Sequence, residues 1–152
     1  MRLWRISNYA DLQGVGGLRA GGRWHSRGRP VVYLADSAAG ALLEVLVHLE
    51  VATPDALPDT YQLLTVEVED TVVPVDCPPL PADWPAREGV TRGVGDAWLA
   101  AGRSALLRVP SAIVPDVHNV LLNPLHPDAG KATIIAVRTV PFDRRLFPGV
   151  TP

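Results

Sequence analysis

The chain has 152 residues, 47% of them apolar, with a formal net charge of −2. That length suits one domain, taken here as residues 1–152, and that apolar fraction argues against intrinsic disorder. A near-neutral balance without a basic block disfavours direct nucleic-acid binding.

Cys77 is the single cysteine, so there is no disulfide and no zinc-ligand spacing, and no metal is expected. No run approaches the roughly 20 apolar residues of a membrane span. The start, "MRLWRISNYADLQG", lacks the apolar segment of a signal peptide. The expectation is a soluble cytoplasmic protein. Fifteen prolines and 13 glycines point to short elements with tight connections.

"LWRI" at 3–6 reads as a first strand. Residues 14–30 hold six glycines and four arginines, a mobile or tightly turning loop. "PVVYLA" at 30–35 is β-branched and apolar, a second strand. Ser37 then caps a helix over 38–50, and "VATPDALPD" ends it in a loop. "YQLLTVEVE" at 61–69 alternates in part and reads as a strand. Residues 72–85 are proline-rich and extended. "VGDAWLAA" at 94–101 is a short helix that Gly102 stops. "SALLRVPSAIVP" is one strand broken at Pro110, or two. "NVLLNP" and "ATIIAVRTVPF" at 132–142 complete the strands. Strands outnumber helices without alternating with them, which indicates an α+β domain: a mixed or antiparallel sheet core with flanking helices.

Polar residues inside the apolar segments carry the chemistry. On the helix, Leu42, Val45, Leu46 and Leu49 form one apolar stripe. Ser37, Gly40, Ala41, Glu44 and His48 lie opposite. That second stripe either faces water, as most glutamates do, or lines a cleft in which Gly40 and Ala41 leave room beside Glu44. Tyr33 is a core or edge aromatic, or packs on a ligand ring. Arg23, after two glycines, is a surface side chain, or forks onto a phosphate. Together the three would suit a nucleotide whose glycosidic bond breaks. Such a step passes through an oxocarbenium-like state that a carboxylate stabilises. In NAD the leaving nicotinamide departs neutral, so one carboxylate suffices.

At this point the chain resembles a known family. "LWRI", "GGRW", "VVYLADSAAGALLEVLVHL", "LRVPSAIVP" and "NVLLNPLHPDA" together resemble the RES domain, from about residue 2 to residue 145. The resemblance implies a fold similar to ADP-ribosyltransferases. It also implies a toxin of a RES–Xre toxin–antitoxin pair that depletes NAD by hydrolysis or phosphorolysis, with NAD as substrate. It carries the family's arginine, tyrosine and glutamate onto Arg23, Tyr33 and Glu44, and a serine that helps bind the nucleotide onto Ser111. It implies an Xre-like helix-turn-helix antitoxin as partner, and a homodimer. Position 25 departs from the pattern: it is histidine, where many members carry asparagine. His25 either reshapes the pocket or supplies an equivalent turn contact.

Asn119, Asn123 and His126 read as turn and strand-end residues. His48 either bonds Glu44 or sits in solvent. The four tryptophans read as packing. Two other functions compete with the NAD-depleting toxin. One is a protein ADP-ribosyltransferase on the same site. The other is a non-enzymatic binding module that uses the apolar helix.

Overall fold

The β-branched and leucine-rich runs form strands because their alternate side chains can be buried on a pleated surface. The computed structural model describes residues 1–49 and 58–147. Among these, seven strands join one sheet: β1 (Arg2–Ile6), β2 (Val32–Ala35), β3 (Thr60–Val68), β4 (Val75–Asp76), β5 (Leu106–Pro110), β6 (His118–Leu122) and β7 (Ala132–Pro141). Their order is β4-β5-β6-β2-β1-β3-β7, and only β4 with β5 is parallel. The sheet is therefore mixed, and the fold is α+β.

Register divides the side chains between two faces. Val32, Leu34, Val120, Leu122 and Leu106 lie on one face and pack with Leu3, Val66 and Val68 into a core cluster. The other face carries two rows. Tyr33, Leu121 and Leu107 oppose one another across the strands, as do Ala35, Asn119 and Val109. This second face packs against Trp24, Val31 and Trp98. The polar residues thus share a face with a second, tryptophan-rich core.

Among the described residues there are three α-helices: α1 (Gly16–Arg19), α2 (Ala38–His48) and α3 (Glu88–Ala101). The glycine-rich segment is tightly turned rather than open, and it contains α1. The Gly28 amide bonds the Gly17 carbonyl, and Gly22 and His25 form a bridge. A Cβ on Gly17 would overlap the Arg29 carbonyl. Ser37 caps α2 as expected, accepting from the Gly40 amide at 2.9 Å. The helix ends at His48. Glu50 and most of the loop expected after it lie outside the described residues.

The facing of α2 corrects the water-facing alternative. Ala41, on the stripe opposite the leucines, is the buried residue of the helix. Leu42, Val45, Leu46 and Leu49 are only half-buried. The small side chain lies against the sheet, and the stripe with Glu44 turns inward with it.

Helix α3 begins six residues before the expected Val94, at Glu88. Gly89 and Gly93 break the apolar pattern there, and a Cβ at either would meet nothing. Gly102 stops the helix with φ of 56°. Residues 72–85 are mostly extended, with β4 and the start of a 3-10 turn at Trp84–Ala86 inside them. The "SALLRVPSAIVP" segment holds one strand, ending at Pro110.

Helix α3 grips the loop that carries Arg23. The Thr91 hydroxyl, fully buried, donates to the Arg23 carbonyl at 2.6 Å. Arg92 Nε donates to the Gly22 carbonyl at 2.8 Å. Gly95 permits the approach, since a Cβ there would overlap the Trp24 carbonyl. Gly95→Ala is expected to push the helix off the loop and cost about 1–3 kcal/mol, the range for overpacking. Urea unfolding of the purified variant checks this, with Gly93→Ala, where space is open, as the control that gains up to about 1 kcal/mol from helix propensity alone.

Candidate functional site

Glu44 sits one turn after Ala41 on the inward stripe of α2, so its carboxylate reaches the sheet. Asn119 Nδ2 on β6 donates to Glu44 Oε1 at 2.7 Å. Ser111 Oγ, just past β5, donates to the same oxygen at 3.2 Å. Ser111 is itself buried, and its oxygen accepts from the amides of Ile113 and Val114. Both side-chain bonds land on Oε1, which leaves Oε2 for a ligand hydroxyl. The two donors hold one rotamer of the carboxylate before any ligand arrives.

Tyr33 lies on the same sheet face, one row from Asn119. Its ring packs against the Trp24 and Leu121 cluster. Its hydroxyl accepts from the Trp24 amide at 3.0 Å and meets His25 Nδ1 at 2.8 Å. The oxygen therefore has partners in the protein, and the ring is the part left to a ligand. Burial pushes the phenol up to about 12, although the Trp24 amide and the charges of Arg92 and Arg23 pull it down.

Arg23 lies between Gly22 and Trp24 on the clamped loop. Its Nη1 donates to the Pro85 carbonyl at 3.0 Å, and no carboxylate pairs with it among the described residues. The loop is tied to α3 a second time. Asp96 accepts from the Ser26 amide at 2.9 Å and from its hydroxyl at 2.6 Å, and Arg29 Nε lies 3.3 Å away. Burial raises the Asp96 carboxyl, but the Ser26 bonds and the Arg29 charge outweigh it and hold it below the usual range.

The structure thus joins Glu44 with Ser111 through a direct bond, and it puts Tyr33 on the same face. Arg23 is connected to Tyr33 through Trp24. Asn119, read from the sequence as a turn or strand-end residue, is the closest donor to Glu44 and was missed. Its partner is 75 positions away, so only the register of β6 reveals it. His25 also proves to be part of this network. His48 is exposed at the end of α2, and Glu44 takes its bonds elsewhere. Asn123 and His126 do build turns: the Asn123 side chain accepts from the Leu125 amide, and His126 Nδ1 accepts from the Asp128 amide.

A cleft of about 480 Å³ opens between the 76–84 segment and strands β5 and β6. Trp84, Pro110, His118, Arg108 and Cys77 are among the residues that line it, but Arg23, Tyr33 and Glu44 are not. It meets the loop of Arg23 through Trp84, whose ring centroid lies 5.9 Å from that of Trp24. Burial, helped by Asp76, pushes the Cys77 thiol up to about 11, so it is no thiolate nucleophile at neutral pH.

Tyr33 gives a pH test. Its proton is held more tightly in the folded protein than in the unfolded chain, whose phenol titrates near ~10. The stability it confers is therefore full below about pH 10 and is lost as pH rises through about 12. Between those values the wild type is expected to lose up to about 2–3 kcal/mol more than Tyr33→Phe does. Thermal unfolding of both proteins from pH 8 to 12 reads the difference in slope.

The chain has likenesses to known proteins along nearly its whole length. The RES domain family model matches residues 2–145. A Pseudomonas putida protein named Toxin Res is 52% identical, with 97% of this chain and 100% of that protein covered. A Sphingobium sp. protein named Prs ADP-ribosylating toxin is 40% identical, with 95% of each covered. The crystal structure of the M. tuberculosis MbcT–MbcA toxin–antitoxin complex contains a chain of the same fold. Its TM-score is 0.74 at 21% identity, over 92% of this chain and 84% of that one. A match over almost the whole chain, from both the family and these relatives, means that this protein belongs to the RES domain family.

Proposed function

We propose that the protein is the toxin of a RES–Xre toxin–antitoxin pair and that it consumes NAD at the site built by Arg23, Tyr33 and Glu44. The observation that carries this reading is the Glu44 carboxylate, fixed through one oxygen by Asn119 and Ser111 with the other left for substrate. Ser111 thus acts on the nucleotide through Glu44. The family and its toxin-named relatives support the reading. On the same basis we propose a helix-turn-helix antitoxin, a homodimer and a cytoplasmic location.

The chemistry follows from the residue types. Arg23 would pair with the pyrophosphate, and the Tyr33 ring would pack on a flat ring of the substrate. Glu44 Oε2 would accept from a ribose hydroxyl and face the anomeric carbon. As the bond from that carbon to the pyridinium nitrogen breaks, its electron pair leaves with nicotinamide. Positive charge then spreads over the carbon and the ring oxygen, where the carboxylate stabilises it. Water or phosphate bonds to the carbon; an attacking water gives up its proton to solvent. No general acid is required.

The name of the Sphingobium relative supports a second reading, in which a protein side chain accepts the ADP-ribose. The activated carbon is the same, so Glu44 keeps its role.

Glu44→Ala is expected to lower NAD cleavage about 10²–10³-fold, the scale for removing one preorganised electrostatic group. Arg23→Ala is expected to act mainly on KM, raising it about tenfold or more through a lost charge-assisted contact. NAD is followed over time with purified protein, with and without phosphate, and with circular dichroism to confirm folding. Full activity in Glu44→Ala sinks the assignment. Adducts on cell proteins by mass spectrometry, without free ADP-ribose, favour the second reading. Asn119→Ala should cost kcat about tenfold and leave the KM for NAD nearly unchanged, because it acts on the rotamer of Glu44.

A further inference from the structure

We propose that His25 is a positioning residue, which as the neutral Nε2–H imidazole orients the Tyr33 hydroxyl and locks the chain on both sides of Arg23. This deepens the reading of Arg23 and Tyr33 as nucleotide-binding groups and rests on it.

Donor and acceptor chemistry fixes the proton positions. His25 Nε2 lies 3.0 Å from the Ala20 carbonyl, which can only accept, so Nε2 carries the hydrogen. In the neutral ring Nδ1 is then an acceptor. The Tyr33 hydroxyl, 2.8 Å away, must donate its hydrogen to it. The same oxygen accepts from the Trp24 amide at 3.0 Å. The bonds run in one direction: Trp24 amide to Tyr33, Tyr33 to His25, His25 to Ala20. With Nδ1–H instead, Ala20 would lose its donor and the Tyr33 hydrogen would lose its acceptor.

The ring is enclosed. His25 is 4% exposed, and all three of its polar contacts are made with chain close to Arg23 or with Tyr33. Its own carbonyl accepts from the Gly22 amide at 3.0 Å. A Cβ on Gly22 would stand 2.6 Å from the Tyr33 oxygen and 3.0 Å from the imidazole, so the cluster leaves no room for another arrangement. Arg23 is thus held between Ala20 on one side and Trp24 on the other, both tied to strand β2 through one imidazole and one phenol. Its guanidinium is placed by a loop that this pair keeps closed.

Two substitutions separate the two nitrogens. In His25→Asn the amide oxygen falls where Nδ1 stands, so Tyr33 keeps its acceptor and the Ala20 bond is lost. In His25→Gln the amide nitrogen falls where Nε2 stands, so the Ala20 bond is kept and Tyr33 loses its acceptor. The expected result is a KM for NAD raised about tenfold in His25→Gln, with kcat within about threefold, and most of that KM recovered in His25→Asn. Equal KM values in His25→Gln and wild type overturn the proposal. So do equal losses in both variants that track the fall in melting temperature, which would mark a purely structural histidine.

A second measurement needs no activity. Long-range ¹H–¹⁵N spectra of the imidazole are expected to show hydrogen on Nε2 and a bare Nδ1, and a slowly exchanging Tyr33 hydroxyl proton that disappears in His25→Gln. The opposite tautomer overturns the proposal. Wild-type protein that folds with the expected tautomer and yet neither binds nor cleaves NAD would sink the NAD reading, and with it the role in nucleotide binding, while the lock itself stands.

Discussion

The antiparallel pairing of β2 with β6 is the constraint on which the site depends. It sets Tyr33 opposite Leu121 and Ala35 opposite Asn119. A slip of one residue would turn every one of these side chains to the other face. Asn119 would then point into the leucine and valine cluster, and Glu44 would lose its closest donor. The apolar residues of the same two strands resist that slip, because Val32, Leu34, Val120 and Leu122 are buried on the face opposite. The core therefore enforces the alignment of the polar groups.

Two devices then bring the rest of the site to that face. Ala41 lets α2 lie close enough for a glutamate to reach the sheet, and Gly95 lets α3 lie close enough to clamp the loop of Arg23. Both are absences of side chain, and both act at a distance from the groups they place. Glu44 comes from the helix that follows β2 and Arg23 from the loop that precedes it, so residues 23–44 carry four side chains of the candidate site: Arg23, His25, Tyr33 and Glu44. The strand supplies rigidity between them.

Much of this was legible in the sequence. The β-branched runs marked the six longer strands, and Ser37 marked the start of α2. The run "GGRW" and the lone glutamate in an apolar helix marked two candidate site residues, Arg23 and Glu44. What stayed hidden depends on long-range register or on close packing. The bonds from Ser111 and Asn119 to Glu44 join residues 67 and 75 positions apart, and no local pattern encodes them. The orientation of α2 stayed open, because the stripe with Glu44 could face water or line a cleft. In fact an alanine faces the sheet, and the larger leucines and valines stay partly in water. The first half of α3 was missed because its glycines suggest a loop, whereas its buried Thr91 serves the packing.

The far side of the sheet has a consequence of its own. Among the described residues β7 ends the sheet beyond β3, as a ten-residue strand with one open row of backbone groups. Ile135 and Val137 are about half exposed on it, and Arg138 is its only charged side chain. Open edges of this length and composition are templates for pairing with another chain, and charge or proline along them is the usual defence. Here that defence amounts to one arginine and the terminal Pro141. Among the described residues this strand is therefore an edge at which copies of the chain would pair at high concentration, well away from the residues that would handle the nucleotide. A lysine introduced on the outer edge of β7 is the natural first step in making the protein easier to handle.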